Sequence, residues 1–72
     1  MVKIEIVIHK PHTDTTIKRY GNSASDINEK VYDALTAHGI DEETAIDCAC
    51  WCELAAIGES YNTDDFDVYV GE

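Results

Sequence analysis

Residues 2–9 read V-K-I-E-I-V-I-H, which places Val2, Ile4, Ile6 and Ile8 on one face and Lys3, Glu5, Val7 and His9 on the other. A period of two in β-branched residues predicts a strand packed on one side. Lys10, Pro11, His12, Thr13 and Asp14 supply a turn, because Pro fixes φ and Asp bonds local backbone. Residues 15–20, T-T-I-K-R-Y, then form a more polar return strand at a sheet edge, ended by Gly21 and Asn22.

The period changes to that of a helix after Asn22. Ser23 or Ser25 is placed to cap it, with Asp26 and Glu29 in its first turns, where carboxylates suit the dipole. Ala24, Ile27, Val31, Ala34, Leu35 and His38 make its apolar stripe. Gly39 followed by Ile40 reads as the left-handed residue and hydrophobic contact of a helix end. Asp41 caps a second helix almost at once, with Glu42 and Glu43 in its first turn, so the two helices form an antiparallel hairpin.

The second helix, about 42–58, is apolar nearly all round. Ile46, Ala49, Cys50, Leu54 and Ile57 share one face, expected to be inward, and Cys48, Trp51, Cys52 and Ala55 cover most of the other. A helix of that kind is normally buried on two sides. The leftover side around Cys48, Trp51, Cys52 and Ala55 is accordingly a candidate homodimer interface, and Gly58 leaves room for Tyr61 beside the Trp51 indole. Glu53 falls near the middle of the inward face, either reaching solvent at its boundary or partly buried. Residues 59–63 break the pattern, and 64–70, D-D-F-D-V-Y-V, alternates again with Phe66, Val68 and Val70 inward.

The element order is ββααβ. It predicts an α+β domain with both helices on one face of a three-stranded sheet, strand 1 central and the last strand parallel to it after a right-handed crossover. With 72 residues there is one domain, without repeats or linkers, and a fold this small buries only about 60% of the surface of its unfolded chain. No stretch approaches the ~20 apolar residues of a membrane span, and residues 2–8 lack the features of a signal peptide. A cytoplasmic location is the resulting expectation, in the host cytosol for a phage-encoded chain.

Candidate chemistry is sparse. Cys48, Cys50 and Cys52 are odd in number and too closely spaced for a disulfide framework. They read as reduced, buried apolar residues; a metal or redox module built on Cys48 and Cys52, with His9, His12 or His38 as further ligands, is the alternative, although C-x-x-C spacing is absent. The four glycines are isolated, so no phosphate-binding loop is present. A chain this short leaves little interior for a pocket holding nucleophile, base and orienting group. The expectation is a non-enzyme without cofactor.

Charge changes the picture most. The net charge is -10, yet residues 31–72 carry eleven acids and no Lys or Arg, whereas residues 1–30 hold all five basic residues against four acids. Solubility alone needs a net charge of only about 2 to 8 with mixed signs, and such a chain repels nucleic acid. Carboxylates at i, i+4 on a helix or i, i+2 on a strand recur at roughly 6 to 7 Å, which imitates a phosphate backbone. Asp41, Glu42, Glu43, Asp47, Asp64, Asp65 and Asp67, with Tyr69 as an aromatic anchor, are therefore the candidate residues for binding a basic, nucleic-acid-binding protein. A dimeric interaction module with a merely solvated acidic face is the competing possibility.

Residues 51–61, W-C-E-L-A-A-I-G-E-S-Y, followed by the acidic D-D-F-D-V-Y-V strand, resemble the ends of short proteins carried by phages and mobile elements. With its size and charge, the chain is similar in kind to anti-CRISPR proteins, several of which are small acidic folds that occupy the nucleic-acid-binding surfaces of Cas effectors. The resemblance implies an inhibitor whose partner is a Cas effector. Anti-CRISPR proteins share no motif, so it assigns no residue roles.

Overall fold

The computed structural model describes residues 1–9 and 14–71. Strand β1 (Val2–Ile8) and strand β2 (Thr15–Gly21) pair antiparallel from Val2↔Gly21 to Ile8↔Thr15. Helices α1 (Ala24–Ala37) and α2 (Glu42–Leu54) follow, then a short strand β3 (Ser60–Asn62) and strand β4 (Phe66–Gly71). The sheet order is β2-β1-β4-β3, with every neighbouring pair antiparallel. The turn expected at Lys10, Pro11, His12 and Thr13 lies outside the described residues.

The α+β class, the two helices and the interior position of β1 agree with expectation; the strand number and the direction of the last strand do not. The order is ββααββ, and β4 runs antiparallel to β1, not parallel. Topology supplies the reason. Strand β2 ends beside Val2, and α1 begins three residues later. Helix α2 returns to the same end, since Gly58 donates to the Val70 carbonyl (2.8 Å) and Val70 donates to that of Glu59 (3.0 Å). From there a strand entering beside β1 would run parallel to it. The three residues of β3 first carry the chain to the opposite end, so β4 comes back antiparallel, with Ile8↔Phe66 and Lys3↔Gly71 in register.

The helix ends are set by local chemistry. Ser23 is the N-cap of α1, its Oγ accepting the Asp26 amide (3.1 Å), while Asp26 Oδ2 accepts the Asn22 amide (3.1 Å). The Asn22 amide, ahead of the Lys30 ammonium 3.3 Å away, holds the Asp26 carboxyl below its usual range. At the other end Gly39 adopts φ 86°, and the amides of Gly39 and Ile40 donate to the carbonyls of Thr36 (3.2 Å) and Leu35 (3.1 Å). That is the pairing of a Schellman motif, accompanied by contact between two buried side chains, Leu35 and Ile40. Helix α2 stops at Leu54, short of the expected Gly58. Glu59 donates to the Ala56 carbonyl (3.1 Å), and Gly58 has φ 98°, a turn whose third position favours Gly.

Ile4, Ile6, Ile8, Phe66, Val68 and Val70 form the covered face of the sheet, beneath Ile27, Val31, Leu35, Ala45, Cys48, Ala49 and Cys52 of the helices. The buried stripe of α2 is thus Ala45, Cys48, Ala49 and Cys52. This corrects the expected inward face: Ile46, Cys50, Leu54 and Ile57 are exposed. Small side chains line the buried side of α2, whose closest neighbour is α1, and the larger ones are left outside. Trp51 is half-buried and packs against Tyr61, with ring centroids 5.4 Å apart, and Tyr61 stacks on Phe66 at 6.1 Å. Glu53, half-buried at the edge of the helix pair, accepts the Asn28 side-chain amide at 2.7 Å.

Helix α1 approaches β2 so closely that a Cβ on Gly21 would lie 2.4 Å from Ile27 Cγ1 and 3.3 Å from Ile27 Cα. The side chain can rotate away; the backbone cannot without lifting the helix. Gly21→Ala should therefore destabilise the fold by about 1 to 3 kcal/mol, read as a lower denaturant midpoint at unchanged slope. An unchanged midpoint would show that α1 is free to lift.

Candidate partner-binding surface

The two layers bring acidic residues together at one end of the molecule. Both helices are anchored at the Val2, Gly21 and Gly71 end, and α1 at about 21 Å roughly matches the length of β2 at about 23 Å. The link between the helices consequently lies toward the Ile8, Thr15 and Phe66 end. Asp41, Glu42 and Glu43 begin α2 there, and Asp47 follows one turn on. Asp64 and Asp65 form the turn between β3 and β4 at the same end, and Asp14 precedes β2.

These residues are not equally free. Asp41 Oδ2 accepts the Thr44 amide (3.0 Å) and hydroxyl (2.9 Å), so its carboxylate caps α2. The turn at Asp64 and Asp65 is closed by Thr63, whose amide donates to the Phe66 carbonyl (2.9 Å) and whose Oγ1 accepts the amides of Asp65 (3.2 Å) and Phe66 (3.0 Å). The Asp65 carbonyl accepts the His9 amide at 2.9 Å. Glu42, Glu43, Asp47 and Asp64 are exposed. Asp67 and Tyr69 project from β4 to the sheet face away from the helices, where Tyr69 is 44% exposed opposite Glu5 and Ser60. The acidic candidates therefore share an end of the molecule but occupy two faces, and Tyr69 lies at mid-strand.

Of the described cations, Lys3 and Lys30 lie toward the other end, and Lys18 and Arg19 lie near mid-strand. Lys3 stands opposite Tyr20 and Gly71, Lys18 opposite Glu5 and Arg19 opposite Ile4. Lys30 pairs with Asp26 and donates to the Tyr20 carbonyl. Lys10 and His12 lie outside the described residues.

One titratable cation is embedded in the acidic end. His9 Nδ1 lies 3.0 Å from Asp14 Oδ1, and Nε2 lies 2.8 Å from Asp67 Oδ2. Both carboxylates require a donor, and only the imidazolium supplies two N–H groups. The hydrogen bond to Asp14, then that to Asp67, accordingly raises the His9 pKa above its ordinary 6.5. Its side chain was expected on the outer face of the first strand or as a further ligand to a metal held by Cys48 and Cys52. Instead it ties the ends of β1, β2 and β4 together, a role that needed the register of three strands to be seen.

Cys48 and Cys52 are buried among core residues of their own chain, with Cys50 exposed. The proposed dimer interface at Cys48, Trp51, Cys52 and Ala55 is thereby corrected: two of the four face inward, and Trp51 and Ala55 pack at the edge of the core. The hydrogen bond between Cys48 and Cys52, with burial, pushes the Cys48 thiol above the usual thiol range, while the same bond lowers that of Cys52. Among the described residues no three His, Cys, Asp or Glu side chains are gathered in a way that could hold a metal ion. No cleft opens among them either. No helix is long and apolar enough to cross a membrane. In comparisons with known proteins, no family model, curated protein or solved structure matches the chain.

Two outcomes follow from this geometry. A raised folded-state pKa means that the His9 contribution is fully present below its unfolded value of 6.5 and is lost as pH rises through the folded value. The stability advantage of wild type over His9→Gln should shrink between about pH 6 and pH 9, and NMR titration of the His9 ring should give a midpoint above 6.5. A constant difference across that range would contradict the bridge. In the native protein a maleimide should modify Cys50 rapidly and Cys48 and Cys52 only after denaturation; rapid modification of all three would contradict their burial.

Proposed function

We propose that this protein is a non-catalytic inhibitor that binds a basic nucleic-acid-binding protein and occupies the surface meant for DNA or RNA, with a Cas effector as the partner. The observation that carries this reading is the separation of charge along the molecule. Carboxylates from α2 and from the β3–β4 turn converge at one end, while Lys3 and Lys30 lie at the other and Lys18 and Arg19 near mid-strand. A solvated face needs no such segregation, since interspersed signs keep a small domain soluble. An end at which carboxylates outnumber the His9 imidazolium focuses negative potential and steers an oppositely charged surface toward it.

Glu42, Glu43, Asp47 and Asp64 are the residues to which recognition is assigned first, because they are exposed and have no part in capping α2 or bridging His9. Asp41 and Asp67 contribute charge while serving the fold. The test is affinity capture from a lysate of CRISPR-bearing bacteria at low and high salt, with wild type and a Glu42→Gln, Glu43→Gln, Asp47→Asn, Asp64→Asn variant. Wild type should capture a basic nucleic-acid-binding protein at low salt, release it as salt screens the charges, and lose it to competing oligonucleotide. The variant should capture little. If neither salt nor the four substitutions alters what is captured, or nothing basic is captured, the acidic end is only solvated.

A further inference from the structure

Folding leaves the outer side of α2 uncovered, and that side is not uniformly polar. Ile46, Cys50 and Leu54 recur every four residues and so form one line along the helix. Ile46 is 46% exposed and Leu54 91%, Cys50 is exposed, and Ile57 just beyond the helix is 57% exposed. Single exposed apolar residues are ordinary, but a contiguous line rimmed by polar groups marks a contact surface. Here the rim is acidic. Glu42 heads the line, Glu43 and Asp47 run along one flank, and Glu53 borders the other, where Asn28 of α1 donates to Glu53 Oε2 (2.7 Å) and reaches Cys50 Sγ (3.9 Å). Helix α2 carries no Lys, Arg or His.

Charge decides what fits. A second copy would set the same carboxylates against each other in a two-fold contact, and nucleic acid would be repelled. We propose that this face of α2 docks a basic amphipathic α-helix of the partner protein, whose apolar side chains lie along Ile46, Cys50 and Leu54 and whose Lys and Arg residues meet Glu43, Asp47 and Glu53. Helix recognition of this kind is read through anchors along one helical face, and α2 offers them at i, i+4 and i+8. The inference rests on the basic partner proposed above and narrows it, from a charged surface to a structural element with an apolar side.

The probe is a Leu/Lys peptide of roughly 18 residues, about five turns, patterned with one leucine face, alongside a peptide of identical composition with its leucines spread all round. Trp51 fluorescence reports binding, and the alkylation rate of Cys50 by N-ethylmaleimide reports where the peptide sits. The patterned peptide should bind at least about tenfold more tightly than the scrambled one and slow Cys50 alkylation by a similar factor at saturation, and Ile46→Thr with Leu54→Ser should remove that preference. These substitutions alter exposed side chains and no charge, so an unchanged melting temperature is expected. Equal affinity for the two peptides, or unprotected Cys50 at saturation, overturns the proposal. Wild type sedimenting as a dimer that Leu54→Ser dissociates also overturns it, assigning the face to a second copy. If lysate capture depends on the four acids but not on Ile46 and Leu54, the docking face falls while the acidic inhibitor stands. If patterned peptide binds through the line but the acid substitutions change nothing in the lysate, the inhibitor falls instead.

Discussion

The aliphatic face shared by β1 and β4 governs the rest of this molecule. Six side chains, Ile4, Ile6, Ile8, Phe66, Val68 and Val70, must leave water together, and in so short a chain only two helices are available to cover them. Nearly every inward position of α1 and α2 is used for that cover, and no polar or charged residue is buried among the described residues. An active-site pocket of buried polar groups would have to displace part of this core. What the protein can offer a partner is accordingly written on its outside, in charge and in the side chains that the core did not need.

Much of this was legible in the chain because local rules and tertiary packing agree. The period-two run of β1, the Asp41 cap and the Gly39 helix end each have one low-energy interpretation, and the α1 cap was narrowed to Ser23 or Ser25, of which Ser23 is used. The short strand β3 was not legible. Its three residues, Ser60, Tyr61 and Asn62, point only Tyr61 inward, too short a pattern to display a period. Missing it reverses β4, because whether a strand runs parallel or antiparallel depends on the end at which the chain enters.

The face of α2 was misjudged for a different reason. Hydrophobicity ranks Ile46, Leu54 and Ile57 above alanine and cysteine, so side-chain scale alone turns the helix the wrong way. Close approach of α2 to α1 selects for small size instead, as the close approach of α1 to β2 does at Gly21. The acidic residues were visible as charges, but their convergence was not. Asp14, Asp41 and the Asp64–Asp67 segment are far apart in sequence and reach one end only through the double reversal of helix hairpin and strand hairpin.

That convergence has an electrostatic cost which the fold offsets locally. Asp41 is drawn into capping α2, where the helix dipole and two donors favour its charge, and Asp14 and Asp67 share the His9 imidazolium. Carboxylates satisfied in this way are expensive to remove for reasons of folding, whatever they bind. Glu42, Glu43, Asp47 and Asp64 stand apart, since none caps a helix or joins the His9 bridge. Glu42 and Glu43 gain from the α2 dipole in the first turn, whereas Asp47 and Asp64 sit at a like-charged end without such a return. The positively charged partner proposed above would neutralise all four, and the exposed line of Ile46, Cys50 and Leu54 would give it an apolar side as well.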